Sequence, residues 1–492
     1  MQEKKTQNPA PGQVGLSEGN RVSRREFLKL AGVAGAAVGL GAGLGGALAA
    51  CGGTTTTTAA TTAATTASSV ATTASSEVST SSSATVTTAA EVGREVKIGW
   101  VQPATGAMAE HAVAGDFILG VANTALGDGI VLGDGKKHKI TILRKDSQSD
   151  SNRAGQVAGD LITNDKVDIL LGDSGPDMII PITTQGESLG VPTITDNCPW
   201  EAWLMGRSGG KIATVYKWTY HLCWGSNEEI AVNMKMIDGF QTNKVVGGLW
   251  PNDADGAALR AYWPGVLKAS GYKLVDGGPF DDAAEDFTSI INAFKGAGAE
   301  VLLGLTLPPT LGVVLQQAKQ QGFTPKICVI EKSTLFPGGI ESLGDLGLNV
   351  AGNQWWHPTY PFKSGLVGQT CQQLADAFEA QLNRQWEQPI GEMVHLEVAI
   401  DTLKRTTNVD DKESILQALV ATNLQDTVMG PINFTQPVAA KTGHPVQNVI
   451  VTPLYGGQWQ KGTGKYKVEL KVVSNGATPW LAVQGTVQPY TG

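Results

Sequence analysis

The stretch at residues 153–171 reads RAGQVAGDLITNDKVDILL and combines a helix pattern with a strand pattern. Its apolar residues recur at i, i+3, i+4, i+7 and i+8, which places them on one helix face: Ala154, Val157, Ala158, Leu161 and Ile162. The apolar run at 167–171 follows closely and is typical of a strand that is buried on both faces. A one-sided apolar helix beside a buried strand indicates one unit of a helix-covered parallel sheet.

The same alternation extends along most of the chain. In the first half, strand patterns occur at 96–101, 139–143 and 192–195, with a helix pattern at 114–126. The alternation then restarts, with strand patterns at 244–250, 272–275, 300–305 and 326–330 and helix patterns at 256–270, 286–295 and 311–321. Two helix patterns at 371–386 and 392–404 and a β-rich end at 430–459 follow. We therefore predict an α/β fold with two Rossmann-like, doubly wound lobes and a central cleft at the carboxyl ends of their strands.

Residues 1–51 have the pattern of a lipoprotein export signal rather than of a folded segment. Arg24 and Arg25 lie in the run SRREFLK, which resembles a twin-arginine signal, and an uncharged Ala/Gly-rich segment follows. The run LAAC at 48–51 resembles a lipobox, in which the thiol of Cys51 carries the lipid. A transmembrane anchor is the alternative, although Gly and Ala contribute little transfer free energy. The signal predicts export by the twin-arginine route and lipid anchoring to the outer face of the cytoplasmic membrane, at the cell surface or in the periplasm.

Residues 52–94 are predicted to be a disordered tether, because most of them are Thr, Ser or Ala and offer little apolar surface to offset the entropy of ordering. The whole chain is acidic, with 45 Asp and Glu against 37 Lys and Arg and a net charge of −8. An acidic body argues against nucleic acid or an anionic membrane surface as a partner. Membrane contact is therefore predicted through the lipid anchor only.

The cysteines and histidines do not form a metal-ligand pattern. Cys198 and Cys223 could form a disulfide after export, and four buried free thiols are the alternative for Cys198, Cys223, Cys328 and Cys371. The six histidines show neither an HxH nor an HExxH pairing. We therefore predict no metal and no cofactor.

Several short segments occur in one order along the chain: VKIG at 96–99, PATG at 103–106, DSQSD at 146–150, ILLG at 169–172, GVPTI at 190–194, GPINF at 430–434 and GHP at 443–445. Their order and spacing resemble the leucine/isoleucine/valine-binding family of type I periplasmic-binding proteins, the solute receptors of ABC importers. The resemblance implies two lobes joined by three hinge crossings. We place lobe 1 at 95–217 and 358–445, and lobe 2 at 218–357 and 446–492.

The resemblance also implies candidate ligand contacts in lobe 1. His111 falls about where the family places an aromatic residue in the cleft. In the loop after Gly172, family members use Ser or Thr hydroxyls to hold an amino-acid carboxylate, but here Pro176 falls on the usual hydroxyl. The candidates that remain in this lobe are His111, Ser174, Asp177, Thr195, Asn197 and Trp200.

In lobe 2 the family positions correspond to three residues. Asp255 falls where a tyrosine is common, and Thr306 lies at a second frequent contact. Glu331 falls on the acidic residue that meets the ligand ammonium in the family. These positions imply that lobe 2 recognises the amino group of a solute.

Carboxylates and tryptophans are concentrated in the loops at the predicted strand ends. The carboxylates are Asp173, Asp177, Asp196, Asp253, Asp255 and Glu331, and the tryptophans are Trp200, Trp203, Trp224, Trp250, Trp355 and Trp356. Carboxylates pair with cations and indole faces attract them, so the set favours an amino-acid-like or amine-bearing small molecule. The alternative is that the carboxylates cap helices or face water while the tryptophans pack the lobes.

The resemblance implies a monomeric extracytoplasmic solute-binding receptor that closes on its ligand and delivers it to an ABC permease. The alternative is a receptor domain that senses a ligand and signals to a membrane partner. No enzyme activity is predicted, because a hydrolase needs a nucleophile with a base in reach. Ser174 lies in the run GDSGP, but it follows a strand in a βα unit and no suitable histidine segment precedes it.

Overall fold

A computed structural model of the protein describes residues 90–439 and 445–492, which form two β-sheets flanked by helices. The predicted signal at 1–51, with Cys51, lies outside the described residues, as does the predicted tether up to residue 89. Within the described ranges, no helix is both long and apolar enough to cross a bilayer.

The strands of the two large sheets are, in chain order, β1 (Val96–Gln102), β2 (Ile140–Asp146), β3 (Ile169–Gly172), β4 (Thr193–Asp196), β5 (Thr219–Leu222), β6 (Val245–Leu249), β7 (Lys273–Asp276), β8 (Val301–Thr306), β9 (Ile327–Lys332), β10 (Val350–Gln354), β11 (Val449–Ile450), β12 (Tyr455–Lys461) and β13 (Val468–Ser474). Three two-stranded ribbons lie outside these sheets: Ile130–Val131 with Lys137–His138, Asn423–Leu424 with Ile432–Asn433, and Val438–Ala439 with Pro445–Val446.

The α-helices are α1 (Gly115–Leu126), α2 (Ser151–Thr163), α3 (Pro176–Leu189), α4 (Trp200–Ser208), α5 (Ser226–Asp238), α6 (Ala254–Ala269), α7 (Thr288–Gly296), α8 (Pro308–Gln320), α9 (Pro337–Ser342), α10 (Cys371–Leu382), α11 (Met393–Arg405) and α12 (Lys412–Val420). Short 3-10 helices occur at Ala109–Ala112, Ser333–Leu335, Gly344–Gly347 and Gln388–Glu392.

Both sheets have a doubly wound strand order. The first runs β2-β1-β3-β4-β5-β11 with parallel neighbours throughout. The second runs β7-β6-β8-β9-β10-β12-β13 and is parallel up to β10, after which its last two strands are antiparallel. In each sheet the order reverses beside the first strand, at the point where α/β sheets bind ligands. The predicted fold class is therefore confirmed.

Each sheet is covered on both faces because its apolar side chains alternate between two core clusters. In β1, Ile98 and Trp100 pack into one cluster and Val101 into another. In β8, Leu303 and Leu302 likewise belong to different clusters. This burial explains why the strands appear in the sequence as continuous apolar runs. The four described cysteines are free and buried, which agrees with the free-thiol alternative.

The described chain crosses between the lobes three times. The first crossing follows β5, and the second follows β10, before α11 packs on β4. The third lies between Ile450 and Tyr455, where the chain leaves the first sheet for the second. Three crossings allow the lobes to rotate about a hinge while each lobe stays intact.

Three predicted boundaries require correction. Lobe 1 extends beyond residue 217, because β5 pairs with β4 in the first sheet. The return to lobe 2 lies after residue 450 rather than at 446, because β11 pairs with β5. The predicted tether ends too late, since the backbones of Glu91 and Gly93 already bond to Lys137 at 2.7 and 2.9 Å.

An ion cluster around Asp168 joins the start of the folded chain to β3 and α12. The carboxylate of Asp168 is 3% exposed and accepts hydrogen bonds from Arg94 at 2.9 and 3.0 Å and from Lys412 at 2.7 Å. Burial alone would raise the pKa of Asp168, but the bonds from Arg94 and the charge of Lys412 hold it below its usual range. The ion cluster therefore stabilises the fold when Asp168 is ionised.

We predict that Asp168→Asn lowers the free energy of unfolding at pH 7 by about 2 kcal/mol, because two basic groups lose a buried anionic partner. The difference should shrink as the pH falls through the lowered pKa of Asp168, since the wild-type carboxyl then loses its charge too. Urea denaturation followed by tryptophan fluorescence measures the free energy of unfolding of the variant and the wild type at each pH. Asp410→Asn is the control, because Asp410 also pairs with Arg94 but is 74% exposed. If Asp168→Asn and Asp410→Asn lost the same unfolding free energy, burial would not be the reason that Asp168 stabilises the fold.

Candidate ligand-binding cleft

A cleft of about 820 Å³ lies between the two lobes and is lined by the loops at the carboxyl ends of their strands. Lobe 1 contributes His111, the start of α3 and Asn197. Lobe 2 contributes Asp255 at the start of α6 and Glu331 at the end of β9. The volume suits a small molecule, and the position agrees with the predicted central cleft.

The lobes touch each other across the opening of this cleft. The carboxylate of Asp177 in lobe 1 lies beside the backbone N–H of Ala254 in lobe 2, which offsets part of the rise that burial causes in the pKa of Asp177. The His111 ring packs edge-on against Phe336, with ring centroids 4.9 Å apart. The structure therefore has the lobes in a closed arrangement around the cleft.

Two buried carboxylates lie at the hinge end of the cleft. Glu229 on α5 accepts hydrogen bonds from Trp224 Nε1 at 3.1 Å and from the hydroxyl of Tyr262 at 2.5 Å. Glu331 accepts one from Asn233 Nδ2 at 2.6 Å. Each glutamate is 4% exposed, and neither forms an ion pair with a described Lys, Arg or His. We call Glu229 and Glu331 the acidic pair.

Burial and mutual repulsion disfavour the ionised forms of the acidic pair. Burial raises the pKa of Glu229 to about 7, and the nearby charge of Asp255 adds to the rise. Burial and then the charge of Glu229 raise the pKa of Glu331 well above its usual range. A cation placed between the two would reverse both effects, because it favours the ionised forms.

Lys332 extends from the end of β9 into a group of carboxylates. Its Nζ lies 2.5 Å from Asp255 Oδ2 and 3.8 Å from Asp253 Oδ2, and Asp177 approaches from lobe 1. Asp253 also caps α6 by accepting a hydrogen bond from the Gly256 N–H at 2.7 Å. One positive charge therefore faces three carboxylates, and this part of the cleft also stays acidic.

Four of the nine predicted ligand contacts line the cleft, namely His111, Asn197, Asp255 and Glu331. A fifth, Asp177, lies close to the charges of Lys332 and Asp253 in lobe 2. Burial, followed by the charge of Lys332, lowers the pKa of His111 to about 3, so its ring is neutral. Burial raises the pKa of Asp255 to about 6, although the charge of Lys332 opposes this rise.

The hydroxyls of Ser174 and Thr195, two of the predicted contacts, bond within lobe 1. Ser174 Oγ donates to Asp173 Oδ1 at 2.6 Å, and Thr195 Oγ1 lies 2.9 Å from His221 Nδ1. Both residues are fully buried. Their polar atoms satisfy neighbouring buried groups instead of pointing at the cleft.

Trp200 and Thr306 are likewise structural residues. The indole of Trp200 packs in an apolar cluster with Trp203, and the hydroxyl of Thr306 lies 2.8 Å from Ser333 Oγ. Of the six tryptophans at predicted strand ends, Trp224 and Trp355 line the cleft and stack with centroids 6.3 Å apart. For the other four tryptophans, the packing alternative is correct.

Asp173 and Asp196 lie beneath the cleft in a buried network rather than in it. Gln102 Nε2 donates to Asp173 at 3.1 Å and to Glu392 at 3.0 Å. The side chain of His395 lies 3.3 Å from Asp196 Oδ1. The network braces the loops that follow β1, β3 and β4. Within the described chain, no group of His, Cys, Asp and Glu residues is arranged to hold a metal ion.

Glu229, Tyr262 and Lys332 were not predicted as site residues. Glu229 lies on α5, for which no helix pattern was identified, and Tyr262 lies on a helix whose inward face is not evident from spacing alone. Lys332 directly follows the predicted contact Glu331, and this position at a strand end could have identified it as a site residue.

Two doubly wound lobes, three crossings and a ligand-sized cleft between them define a type I solute-binding protein. The chain belongs to the periplasmic binding protein family, whose model matches residues 95–462. Residues 21–41 match the signal sequence of the twin-arginine translocation pathway, which confirms the twin-arginine part of the predicted export signal. The predicted family resemblance is also confirmed.

Similar proteins are solute-binding proteins rather than enzymes. An amino acid binding protein of Pseudomonas aeruginosa is 24% identical over 233 residues, which cover 47% of this chain and 59% of that protein. A leucine-binding protein of Thermotoga maritima has a TM-score of 0.60 at 17% identity, over 77% of this chain and 99% of that one. A branched-chain amino acid transporter substrate-binding protein of Streptococcus pneumoniae, solved with isoleucine, has a TM-score of 0.59 at 17% identity, with the same coverage.

A further fold neighbour carries a different ligand. The solute-binding protein of an ABC transporter from Rhodopseudomonas palustris, solved with 3,4-dihydroxybenzoic acid, has a TM-score of 0.58 at 18% identity. The match covers 78% of this chain and 99% of that one. The fold therefore accommodates chemically different solutes, and the ligand has to be inferred from the side chains of the cleft.

We predict that Glu229→Gln stabilises the unliganded protein at pH 8 by about 1 kcal/mol, because it removes a buried charge that lacks a counter-charge. In the wild type, stability should fall as the pH rises from about 4.5 through about 7, since the folded state holds a proton that the unfolded state releases. Urea denaturation at pH 5 and pH 8 measures the difference. Glu285→Gln on the exposed surface is the control. A variant that is less stable than wild type at pH 8 would contradict the raised pKa.

Proposed function

We propose that the protein is the extracytoplasmic solute-binding receptor of an ABC importer. It captures an amino-acid-like or amine-bearing small molecule between its lobes and delivers it to a membrane permease. The observation that carries the proposal is the acidic pair, Glu229 and Glu331, which is buried at the cleft without a counter-charge among the described residues.

The acidic pair favours a ligand with a positively charged nitrogen. A buried carboxylate without a cation is destabilising, and a ligand ammonium group supplies the missing charge together with hydrogen-bond donors. The indoles of Trp224 and Trp355 and the phenol of Tyr262 line the same end of the cleft. Their ring faces add cation–π attraction. A nitrogen cation is therefore the group that best satisfies this end of the cleft.

Capture by closure follows from where the contacts lie. The lining residues come from both lobes, and Asp177 of lobe 1 lies beside the backbone of Ala254 in lobe 2. A solute that contacts both lobes binds the closed state more tightly than the open one and shifts the population towards it. The three hinge crossings allow this motion without unfolding either lobe.

The N-terminal region supports a receptor that works beside a membrane. The twin-arginine signal directs export, and a lipid on Cys51 would hold the protein at the outer face of the cytoplasmic membrane. A flexible tether between Cys51 and the folded domain would let the domain reach solute and remain near its permease. Uptake of a labelled ligand by cells with and without the protein tests delivery, and unchanged uptake would favour the sensing alternative.

We predict that a thermal-shift screen stabilises the protein with nitrogen-bearing cations. A ligand at a concentration about a hundredfold above its Kd should raise Tm by about 2 °C or more. The panel contains amines, amino acids and organic anions without nitrogen. Stabilisation by the anions alone would contradict the proposal.

We also predict that Glu331→Gln weakens binding of the best nitrogen-bearing ligand by about a hundredfold, because it removes one partner of a buried charge pair. The amide oxygen still accepts from Asn233, so the fold should be retained. Isothermal titration calorimetry gives the affinity and circular dichroism checks the fold. Glu285→Gln is the control, because it removes the same charge as Glu331→Gln but from the exposed surface. It should bind the ligand with wild-type affinity. Wild-type affinity in Glu331→Gln would show that the ligand cation lies elsewhere.

A further inference from the structure

We infer that the ligand is an amine without a carboxylate, with an apolar alkyl or aryl body. The inference rests on the proposed function, and it narrows the ligand class from amino-acid-like or amine-bearing solutes to amines alone. It follows from the lobe 1 side of the cleft, where the hydroxyls of Ser174 and Thr195 are bonded within the protein and Pro176 removes the first N–H of α3.

Three groups at the start of α3 are not available to a ligand carboxylate. The Gly175 N–H donates to the backbone oxygen of Asn197 at 2.9 Å, and Pro176, the first residue of α3, has no N–H. The hydroxyl of Ser174 donates to Asp173 beneath the cleft. A carboxylate needs several donors to replace its water shell, and these three groups supply none.

The next loop of lobe 1 also offers few donors. Asn197 lines the cleft, and one of its two amide hydrogens donates to Glu392 Oε1 at 3.0 Å in the buried network, which leaves a single hydrogen for a ligand. The hydroxyl of Thr195 is occupied by Tyr220 O and the His221 ring. His111 at the cleft is buried and neutral, and its Nδ1 has no partner. A neutral ring provides no positive charge for an anion.

The basic groups of the cleft are paired with carboxylates of the protein. Among the described lining residues, the lysine and arginine side chains are Lys332 and Arg260. Lys332 Nζ lies 2.5 Å from Asp255, and Arg260 Nε lies 3.0 Å from Asp276. A ligand carboxylate near Lys332 would meet Asp177 and Asp255 at short range, so repulsion outweighs the attraction of one cation.

The rest of the cleft suits an apolar ligand body. Its walls include Met108, Ile180, Met205, Leu259 and Leu335, which present carbon rather than polar groups. An alkyl or aryl group packs against such walls through the hydrophobic effect, while the ammonium group lies at the acidic pair. A cationic head with an apolar body therefore satisfies each end of the cleft.

Calorimetry with matched pairs tests the inference on the wild-type protein at pH 7. Phenethylamine and L-phenylalanine differ only by a carboxylate, as do isopentylamine and L-leucine. At least one of the two amines should bind about tenfold tighter than its matched amino acid, because the amino acid must bury an unpaired carboxylate. An amino acid that binds as tightly as its amine, or no binding by either amine, would overturn the inference.

Hydrocinnamic acid separates failure of the inference from failure of the proposed function, because it keeps the aryl group and the carboxylate but lacks nitrogen. A preference for L-phenylalanine over both phenethylamine and hydrocinnamic acid overturns the inference and leaves a nitrogen-binding receptor intact. Binding of hydrocinnamic acid alone overturns both.

Restoring donors to lobe 1 provides a second test. Pro176→Ser returns an N–H and a hydroxyl to the start of α3, so it should raise the affinity for L-phenylalanine about tenfold and leave that for phenethylamine unchanged. Pro308→Ser is the matched control, because Pro308 holds the same first position in α8 and does not line the cleft. If Pro176→Ser raised the affinities for phenethylamine and L-phenylalanine equally, the added donors would not be acting on the carboxylate.

Discussion

The electrostatic cost of two buried carboxylates, Glu229 and Glu331, dominates the energetics of the cleft. Glu331 lies at the end of a central strand, and Glu229 lies on the helix that begins just after the first crossing. Both residues are 4% exposed, and both line the cleft. The protein therefore keeps an acidic site that is most stable when a cation fills it, and binding energy can be used to hold the lobes closed.

The two lobes have different roles around this site. In lobe 1, Gln102 connects Asp173 to Glu392, and Asn197 connects that network to the cleft wall. These hydrogen bonds fix the side chains beneath the lobe 1 wall, although Gln102 Oε1 accepts no hydrogen bond. In lobe 2, the carboxylates that line the cleft outnumber the basic groups, with Glu229, Asp255, Asp276 and Glu331 against Arg260 and Lys332. The chain thus keeps a fold that also binds amino acids and aromatic acids in other proteins, while its side chains favour a cation.

Much of the fold was predictable because apolar periodicity reports burial directly. The helix patterns at 114–126 and 392–404 agree with α1 and α11 to within one residue at each end. The strand β5 was missed because its residues Thr-Tyr-His-Leu do not form an apolar run, and α5 was missed because polar residues cover much of its surface.

The site was predictable only in part. Asp255 and Glu331 were identified because they lie at strand ends that the family resemblance marks as contacts. The structure places the hydroxyls of Ser174 and Thr306 on buried neighbours rather than at the cleft, because the direction of a hydroxyl depends on partners that spacing does not reveal. Glu229 was missed together with its helix.

Proton release on binding tests the central claim most directly. If the acidic pair receives the ligand cation, binding must expel the protons that the pair holds in the unliganded protein. Calorimetric titration of the tightest-binding amine at pH 7, in phosphate and in Tris, measures that release through the difference in buffer ionisation heat. The account predicts release of a substantial fraction of a proton for each amine bound. Equal heats in the two buffers, or proton uptake, would contradict it.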